Sequence, residues 1–119
     1  MPKFMYVFRG GGYATPDALS PTELQQHLAQ WNAWTEKLRA SGRLASASAL
    51  AYPPSGKTVR GRDRAVTDGP YAESKDLVSG TLVVEAASLD EAAELAQGCP
   101  ILMLDGSVEV RPVLDKPGP

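Results

Sequence analysis

The sequence has little of several residue types, and each shortage excludes a class of site or protein. One cysteine, Cys99, cannot form a disulfide within the chain or build a cysteine-ligated metal site. No run of about 18 apolar residues is present, so the sequence predicts no membrane-spanning helix. The first residues lack the apolar stretch and cleavage site of a signal peptide. We therefore expect a cytoplasmic protein with no membrane partner.

Charge and histidine are also scarce. The net charge is −2, which argues against nucleic acid as a partner because phosphate binding requires a basic surface. A single histidine, His27, and the lack of a carboxylate cluster at ligand spacing argue against a metal site. The glycines at 10–12 follow a predicted strand but do not lead directly into a helix, as a phosphate-binding loop would. No cofactor is expected.

The sequence does contain an alternation of strand and helix patterns in 119 residues, a length that suits one domain. Strands are predicted over 3–9, 43–52, 80–85 and 107–113, helices over 20–41 and from 89 to Gly98, and a short hairpin over 57–67. This order is the split βαβ pattern. We predict an α+β fold, a ferredoxin-like βαββαβ core with an added hairpin, in which both helices cover one face of an antiparallel sheet. The domain is expected to span 1–114, with a flexible tail over 115–119.

Both helices carry start signals. Ser20 with Glu23, and Ser88 with Glu91, have the spacing of a capping box, in which the serine hydroxyl and the acid carboxylate each accept the other residue's backbone N–H. Gly42 supplies the left-handed residue that commonly ends a helix. These signals predict that the first helix begins at Ser20 and ends before Gly42.

The first helix has apolar residues at three- and four-residue spacing, which predicts the face that packs on the sheet. This stripe comprises Leu24, Leu28, Trp31, Thr35 and Leu38. It places His27 on the flank of the stripe, with Trp34 about two turns away on the same flank. The sequence therefore predicts an imidazole and an indole side by side at the edge of the core.

The first strand is apolar on both faces, with Phe4, Tyr6 and Phe8 on one and Met5 and Val7 on the other. One helical layer covers only one face of a sheet, and a large exposed apolar patch is unusual for a monomer. We therefore expect a homodimer in which two sheets pack face to face.

A recognisable motif follows the hairpin. Residues 68–75 read Asp-Gly-Pro-Tyr-Ala-Glu-Ser-Lys. The segment resembles the motif of the DGPF branch of the YCII-related family, in which Asp-Gly-Pro-Phe is followed by an acid and a lysine, with Tyr71 in place of the Phe. The similarity extends over most of the chain, including 3–7, 88–92 and 106–113. This resemblance implies a dimeric α/β barrel built from two ferredoxin-like protomers.

The resemblance also implies an active site around a histidine of the first helix and an aspartate. His27 falls at the histidine position. The family's other branch carries Asp-Pro near the end of the second helix, where this chain has Cys99-Pro100. That aspartate is therefore missing, and Asp68 is the candidate to replace it. One relative in the family acts in aromatic-ring dehalogenation, but the resemblance does not define the substrate here.

The candidate catalytic residues are His27, as a general acid or base near neutral pH, and Asp68, which would orient it. The candidate substrate-binding residues, which suit a small aromatic or acidic molecule, are Trp34, Tyr71, Glu73 and Lys75. Structural alternatives stand beside these roles. His27 would then be a helix-edge residue packed on a tryptophan, Asp68 a turn residue that bonds its own backbone, and the Glu73–Lys75 pair a solvated ion pair.

Two functions remain open at this point. The first is an enzyme that uses His27 for proton transfer on a small-molecule substrate. The second is a non-catalytic ligand-binding or regulatory protein on the same dimeric barrel. A ferredoxin-like fold hosts many functions, so the architecture does not choose between them.

Overall fold

The computed structural model describes residues 1–11, 19–51, 55–69 and 76–114. In chain order the elements are β1 (Lys3–Arg9), α1 (Pro21–Ala40), β2 (Leu44–Ala49), β3 (Lys57–Arg60), β4 (Ala65–Asp68), β5 (Val78–Glu85), α2 (Leu89–Ala96) and β6 (Ser107–Pro112), with a 3-10 helix over Pro100–Leu104 before β6. The predicted order is confirmed, and the 3-10 helix is an addition to it. Neither α1 nor α2 is long and apolar enough to cross a membrane. The predicted tail over 115–119 lies outside the described residues.

The main sheet has four strands in the order β2-β5-β1-β6. Every neighbouring pair is antiparallel, and β5 lies between β1 and β2. This is the split βαβ arrangement, so the predicted ferredoxin-like α+β core is confirmed. Strands β3 and β4 form a separate two-stranded sheet, the predicted hairpin. Among the described residues of one chain, the main sheet is open and does not close into a barrel.

Strand β1 lies at the centre of the sheet and sets the two faces. Tyr6 is opposite Leu82 of β5 and Val110 of β6. The buried hydrophobic residues of these strands all lie on the helix side of the sheet, and they are Phe4, Tyr6, Phe8, Leu82 and Val84. Met5 and Val7 alternate with them and lie on the opposite face, partly exposed. The predicted division of β1 into two apolar faces is confirmed.

Helix α1 begins and ends at the predicted signals. The Glu23 N–H donates to the Ser20 hydroxyl and the Ser20 N–H donates to the Glu23 carboxylate, each at 3.1 Å. At the other end Gly42 has φ +74°, and the Arg43 N–H donates to the Leu38 carbonyl at 2.9 Å. These local bonds satisfy backbone groups that a helix end otherwise leaves without partners.

The start of α2 follows its prediction only in part. The Ser88 hydroxyl accepts the Glu91 N–H at 3.1 Å, as a cap should. The Glu91 carboxylate instead forms an ion pair with Arg43 and accepts the Ala87 N–H at 3.4 Å. The bond to Arg43 is the main reason why the pKa of Glu91 is lowered. A charged partner from before β2 thus replaces the backbone partner that the capping box predicts.

A buried tyrosine ties the sheet to α2. The Tyr6 hydroxyl donates to the Ala92 carbonyl at 2.6 Å, and its side chain is fully buried. Burial raises the pKa of Tyr6 to about 12, so the phenol is neutral at physiological pH. Its role is to satisfy a helix carbonyl within the core.

Candidate functional site

Helix α1 turns a histidine and two tryptophans toward the sheet. His27, Trp34 and Leu38 are the buried residues of α1, and Trp31 is partly buried against the same core. Spacings of four, three and four residues separate these positions, so they share one face of the helix. The inward face of α1 is therefore mostly aromatic, with an imidazole nearest its N-terminal end.

The predicted stripe of α1 was wrong in its first two turns. Leu24 and Leu28 were expected in the core, but they are 43% and 47% exposed. The inward face is rotated so that both tryptophans reach the sheet. Indole rings bury more area than leucine side chains do, and burial of that area determines the rotation. His27 consequently lies on the inward face and not on its flank.

His27 is held by the tryptophan one turn after it. The indole N–H of Trp31 donates to Nε2 of His27 at 2.8 Å. The two ring centroids are 6.2 Å apart and the ring planes are 82° apart. An i to i+4 pair on a helix is close enough for such a bond without any change of backbone.

Four aromatic side chains, Tyr6, Phe8, Trp31 and Trp34, form one cluster on the helix side of the sheet, here called the aromatic cluster. Trp31 packs edge-on against Phe8 with ring centroids 5.0 Å apart and lies 5.8 Å from Trp34. Trp34 stacks on Tyr6 at 6.0 Å. Edge-to-face and stacked pairs of this kind add about 0.5–1.5 kcal/mol each beyond their buried area. The cluster therefore forms a rigid wall beside His27.

Burial controls the protonation of His27. Its side chain is 5% exposed, and desolvation lowers its pKa from the ordinary value of 6.5. A charged imidazolium would lose its hydration there, whereas the neutral ring keeps the bond from Trp31. The ring is therefore neutral at pH 7. A neutral imidazole can accept one hydrogen bond and donate another, and it can act as a base.

Trp34, the predicted neighbour of His27, belongs to the core. Its indole N–H donates to the Leu95 carbonyl at 3.3 Å, and its ring is buried. A Cβ added at Gly98 would lie 3.3 Å from the same ring, so this glycine lets the end of α2 approach α1. The structure places the Trp31 indole in hydrogen-bond contact with the imidazole. A role for Trp34 in ligand binding stays a prediction.

Asp68 ends β4 of the hairpin, on the protein surface. Its carboxylate pairs with the Lys57 ammonium at 2.6 Å, and its side chain is 91% exposed. Lys57 is its cross-strand partner in the register of β3 and β4. In one copy of the chain, the described contacts of Asp68 and of His27 are with different residues. Orientation of His27 by Asp68 therefore stays a prediction, with no described contact in its favour.

The remaining candidates divide between outside and inside the described chain. Tyr71, Glu73 and Lys75 lie outside the described residues. Cys99, at the position where the family's other branch has an aspartate, is buried, and desolvation raises its pKa to about 11. A neutral thiol of this kind cannot replace a carboxylate as a partner of a histidine. Within the described ranges, no group of three or more metal-binding side chains could hold a metal ion.

Trp31, which bonds to the candidate histidine, was not among the site residues predicted from the sequence. It was assigned to the core stripe, and Trp34 was assigned to the site. The signal was present, because Trp31 follows His27 by four residues and an indole N–H must find an acceptor when it is buried. Trp34 lies seven residues from His27, which is two turns away.

This chain is similar to a known domain family and to individual proteins. Residues 11–116 match the model of the YCII-related domain. The chain is 33% identical over 105 residues to uncharacterized protein R00369 of Rhizobium meliloti (strain 1021), with 85% of each chain covered. A solved structure, the 5-chloro-2-hydroxyhydroquinone dehydrochlorinase TftG of Burkholderia phenoliruptrix AC1100 in complex with 2,5-dihydroxybenzoquinone, is 19% identical. Its TM-score is 0.47, with 92% of this chain and 90% of that chain covered. The match over residues 11–116 shows that the chain belongs to the YCII-related family.

Proposed function

We propose that this chain binds a small aromatic molecule beside His27, with the aromatic cluster as one wall. The observation that carries this proposal is a neutral, 5% exposed imidazole hydrogen-bonded to Trp31 within that cluster. A polar ring costs free energy to bury, and apolar side chains fill a purely structural core better. Perturbed, partly desolvated groups of this kind are concentrated at functional sites.

The aromatic class of ligand follows from the surroundings of His27. Trp31 is only partly buried, so part of its ring is available for contact with an aromatic ligand. Edge-to-face packing already joins Trp31 to Phe8, and a ligand ring would extend that packing. The acidic substituent expected from the sequence would be met by Lys75, which lies outside the described residues.

Quenching of the protein's tryptophan fluorescence by a ligand provides the test, because both tryptophans of the chain belong to the aromatic cluster. The probes are benzoate and its saturated counterpart cyclohexanecarboxylate. We expect benzoate to quench tryptophan fluorescence and to bind about two- to tenfold more tightly than cyclohexanecarboxylate, since an aromatic pair adds about 0.5–1.5 kcal/mol. His27→Gln should weaken benzoate binding about tenfold or more, because a hydrogen bond to a charged carboxylate contributes about 1.5–3 kcal/mol. Gln26→Ala on the same helix should not weaken it. Equal binding of both probes, or an unchanged affinity in His27→Gln, would contradict the proposal.

The second candidate is an enzyme in which His27 transfers a proton on the bound molecule. The observation in its favour is that burial keeps the imidazole neutral at pH 7, the state in which it acts as a base. Phenylpyruvate, an aromatic acid with exchangeable protons beside its carbonyl, is a suitable probe in deuterated water. Exchange accelerated by the protein and reduced about a hundredfold or more in His27→Gln supports the enzyme. Binding without acceleration supports the ligand-binding protein.

We also propose that the functional unit is a homodimer formed by the open face of the main sheet. Met5 and Val7 of β1 and Val83 of β5 lie on that face, partly exposed, at its centre. The chain measures 47 × 43 × 18 Å, with a radius of gyration of 15.7 Å. A compact chain of this length would have a radius of about 13.5 Å. A thin molecule with an apolar sheet face gains stability from a second copy.

Sedimentation at micromolar concentration tests the dimer. We expect the wild-type protein to sediment as a dimer and Val7→Glu to sediment as a monomer, because the carboxylate would be buried without a partner. Val59→Glu is the matched control, since Val59 of β3 is an exposed valine of the hairpin. A wild-type monomer would remove the dimer proposal and leave the ligand test unaffected.

A further inference from the structure

We infer that Trp31 is a positioning residue that holds His27 in a single tautomer, with the ring proton on Nδ1. The tautomer itself follows from the described geometry. Its use in binding or proton transfer rests on the proposed function. The basis is the 2.8 Å contact between the Trp31 indole nitrogen and Nε2 of His27.

The chemistry of the two rings assigns the proton. An indole nitrogen carries a hydrogen and has no lone pair to offer, so it can only donate. Nε2 of His27 must therefore be the acceptor, which requires a lone pair on that nitrogen. A neutral imidazole has one ring proton, so the proton lies on Nδ1. In water, a free histidine side chain prefers the opposite tautomer, so the indole bond reverses the ordinary preference.

The cluster holds the donor in place. Trp31 is packed edge-on against Phe8 at 5.0 Å, with ring planes at 90°, and lies at 80° to Trp34. Because it is fixed from two sides, the indole cannot turn its N–H away from His27 without losing both contacts. The hydrogen bond at one ring nitrogen of a histidine determines which tautomer is present, and so which nitrogen is available for chemistry.

A consequence for the ligand follows. With Nε2 engaged by an indole donor, any second partner of the imidazole, from protein or ligand, must be a hydrogen-bond acceptor. A ligand that reaches the ring would therefore present an oxygen that accepts the Nδ1–H, such as that of a carboxylate, carbonyl, phenolate or hydroxyl, and not an ammonium, which can only donate. The same bond must be released before Nε2 can accept a proton from a substrate. Trp31 thereby favours acceptor ligands and reduces the basicity of the ring.

The tautomer can be read directly from the wild-type protein, because His27 is the only histidine in the chain. After nitrogen-15 labelling of histidine and tryptophan, NMR spectra recorded at about pH 7.5 contain one pair of imidazole nitrogen signals, Nδ1 and Nε2 of His27. We expect the shift of a protonated Nδ1 and an unprotonated Nε2, and a scalar coupling across the hydrogen bond between Nε2 and the Trp31 indole nitrogen. An Nε2-protonated ring would overturn the inference.

Two variants separate positioning from packing. Trp31→Phe removes the donor but keeps an aromatic ring, and it should shift the imidazole toward the Nε2-protonated tautomer. Trp34→Phe is the matched control, because it removes an indole whose N–H donates to the Leu95 carbonyl, and it should leave the tautomer unchanged. An unchanged tautomer in folded Trp31→Phe, or the same change in both variants, would also overturn the inference. If Trp31→Phe does not fold, the wild-type coupling decides. All these readouts are taken without ligand, so they are independent of the benzoate result.

Discussion

Burial of His27 predicts a loss of stability that begins as the pH falls below about 6.5. Burial lowers the pKa of His27 from its ordinary value of 6.5, so the folded protein binds a proton less readily than the unfolded chain does. Above that pH both states are neutral and stability is at its full value. Below it the unfolded chain is protonated first, and stability falls until the pH passes the lower pKa of the folded protein.

The loss of stability is limited because His27 binds only one proton. The free energy of unfolding can fall by at most about 1.4 kcal/mol per pH unit. Between pH 6.5 and pH 5 the loss is therefore at most about 2 kcal/mol, a measurable part of the roughly 5–15 kcal/mol typical of a domain. Glu23 and Glu91 have pKa values lowered from 4.5, first by the Ser20 backbone and by Arg43 respectively. The stability that they add is lost only below pH 4.5, outside this window.

Urea unfolding at several pH values between 5 and 7.5 measures this effect. The perturbation is His27→Leu, which keeps a side chain of similar bulk and removes the titration. Gln26→Leu is the control, because Gln26 is an exposed neighbour on α1. As the pH is lowered from 7.5 to 5, we expect the urea midpoints of the wild type and of Gln26→Leu to decrease. The midpoint of His27→Leu should stay nearly constant. Parallel curves for all three proteins would refute the link between burial and titration.

Three further outcomes are expected. Tyr6→Phe removes the 2.6 Å hydrogen bond to the Ala92 carbonyl and should lower the free energy of unfolding, measured with urea, by about 1–3 kcal/mol. A loss below about 0.5 kcal/mol would show that this bond does not stabilise the packing of α2 on the sheet. Cys99, whose pKa is raised to about 11, should react with iodoacetamide at about pH 8 on the order of 100-fold more slowly in the folded than in the unfolded protein; comparable rates would contradict its burial. Asp68→Asn should change stability by less than about 0.5 kcal/mol, because the pair with Lys57 is solvent-exposed. A loss of benzoate affinity in this variant, without unfolding, would support its predicted role at His27.

In the first turns of α1, a polar residue is buried and two leucines are exposed, the reverse of the usual pattern. A polar ring, His27, is buried, whereas Leu24 and Leu28 are largely exposed. The buried imidazole is compensated by the indole bond and by its neutral state. Such a local violation of the hydrophobic pattern is expected where function, and not packing, selects the residue.

Helix ends and strand faces could be predicted from the sequence because they depend on neighbours along the chain. The cap of α1 joins Ser20 to Glu23, three residues away, and the alternation in β1 follows from the geometry of any strand. The split βαβ order then leaves few ways to arrange four strands with both helices on one face. The family resemblance carried by residues 68–75 was available from the sequence as well.

Only the tertiary structure decided which face of α1 turns inward, because that choice depends on residues far apart in the chain. The indole of Trp34 donates to Leu95, 61 residues away, and Trp31 packs on Phe8 of β1. The periodicity of α1 suits two faces that share Trp31 and Leu38, and it carries no information about which one meets aromatic partners. The helix pattern therefore predicted an indole beside His27 but did not show that Trp31 would donate the bond to it, since the burial of indole area is decided by the sheet and not by the helix.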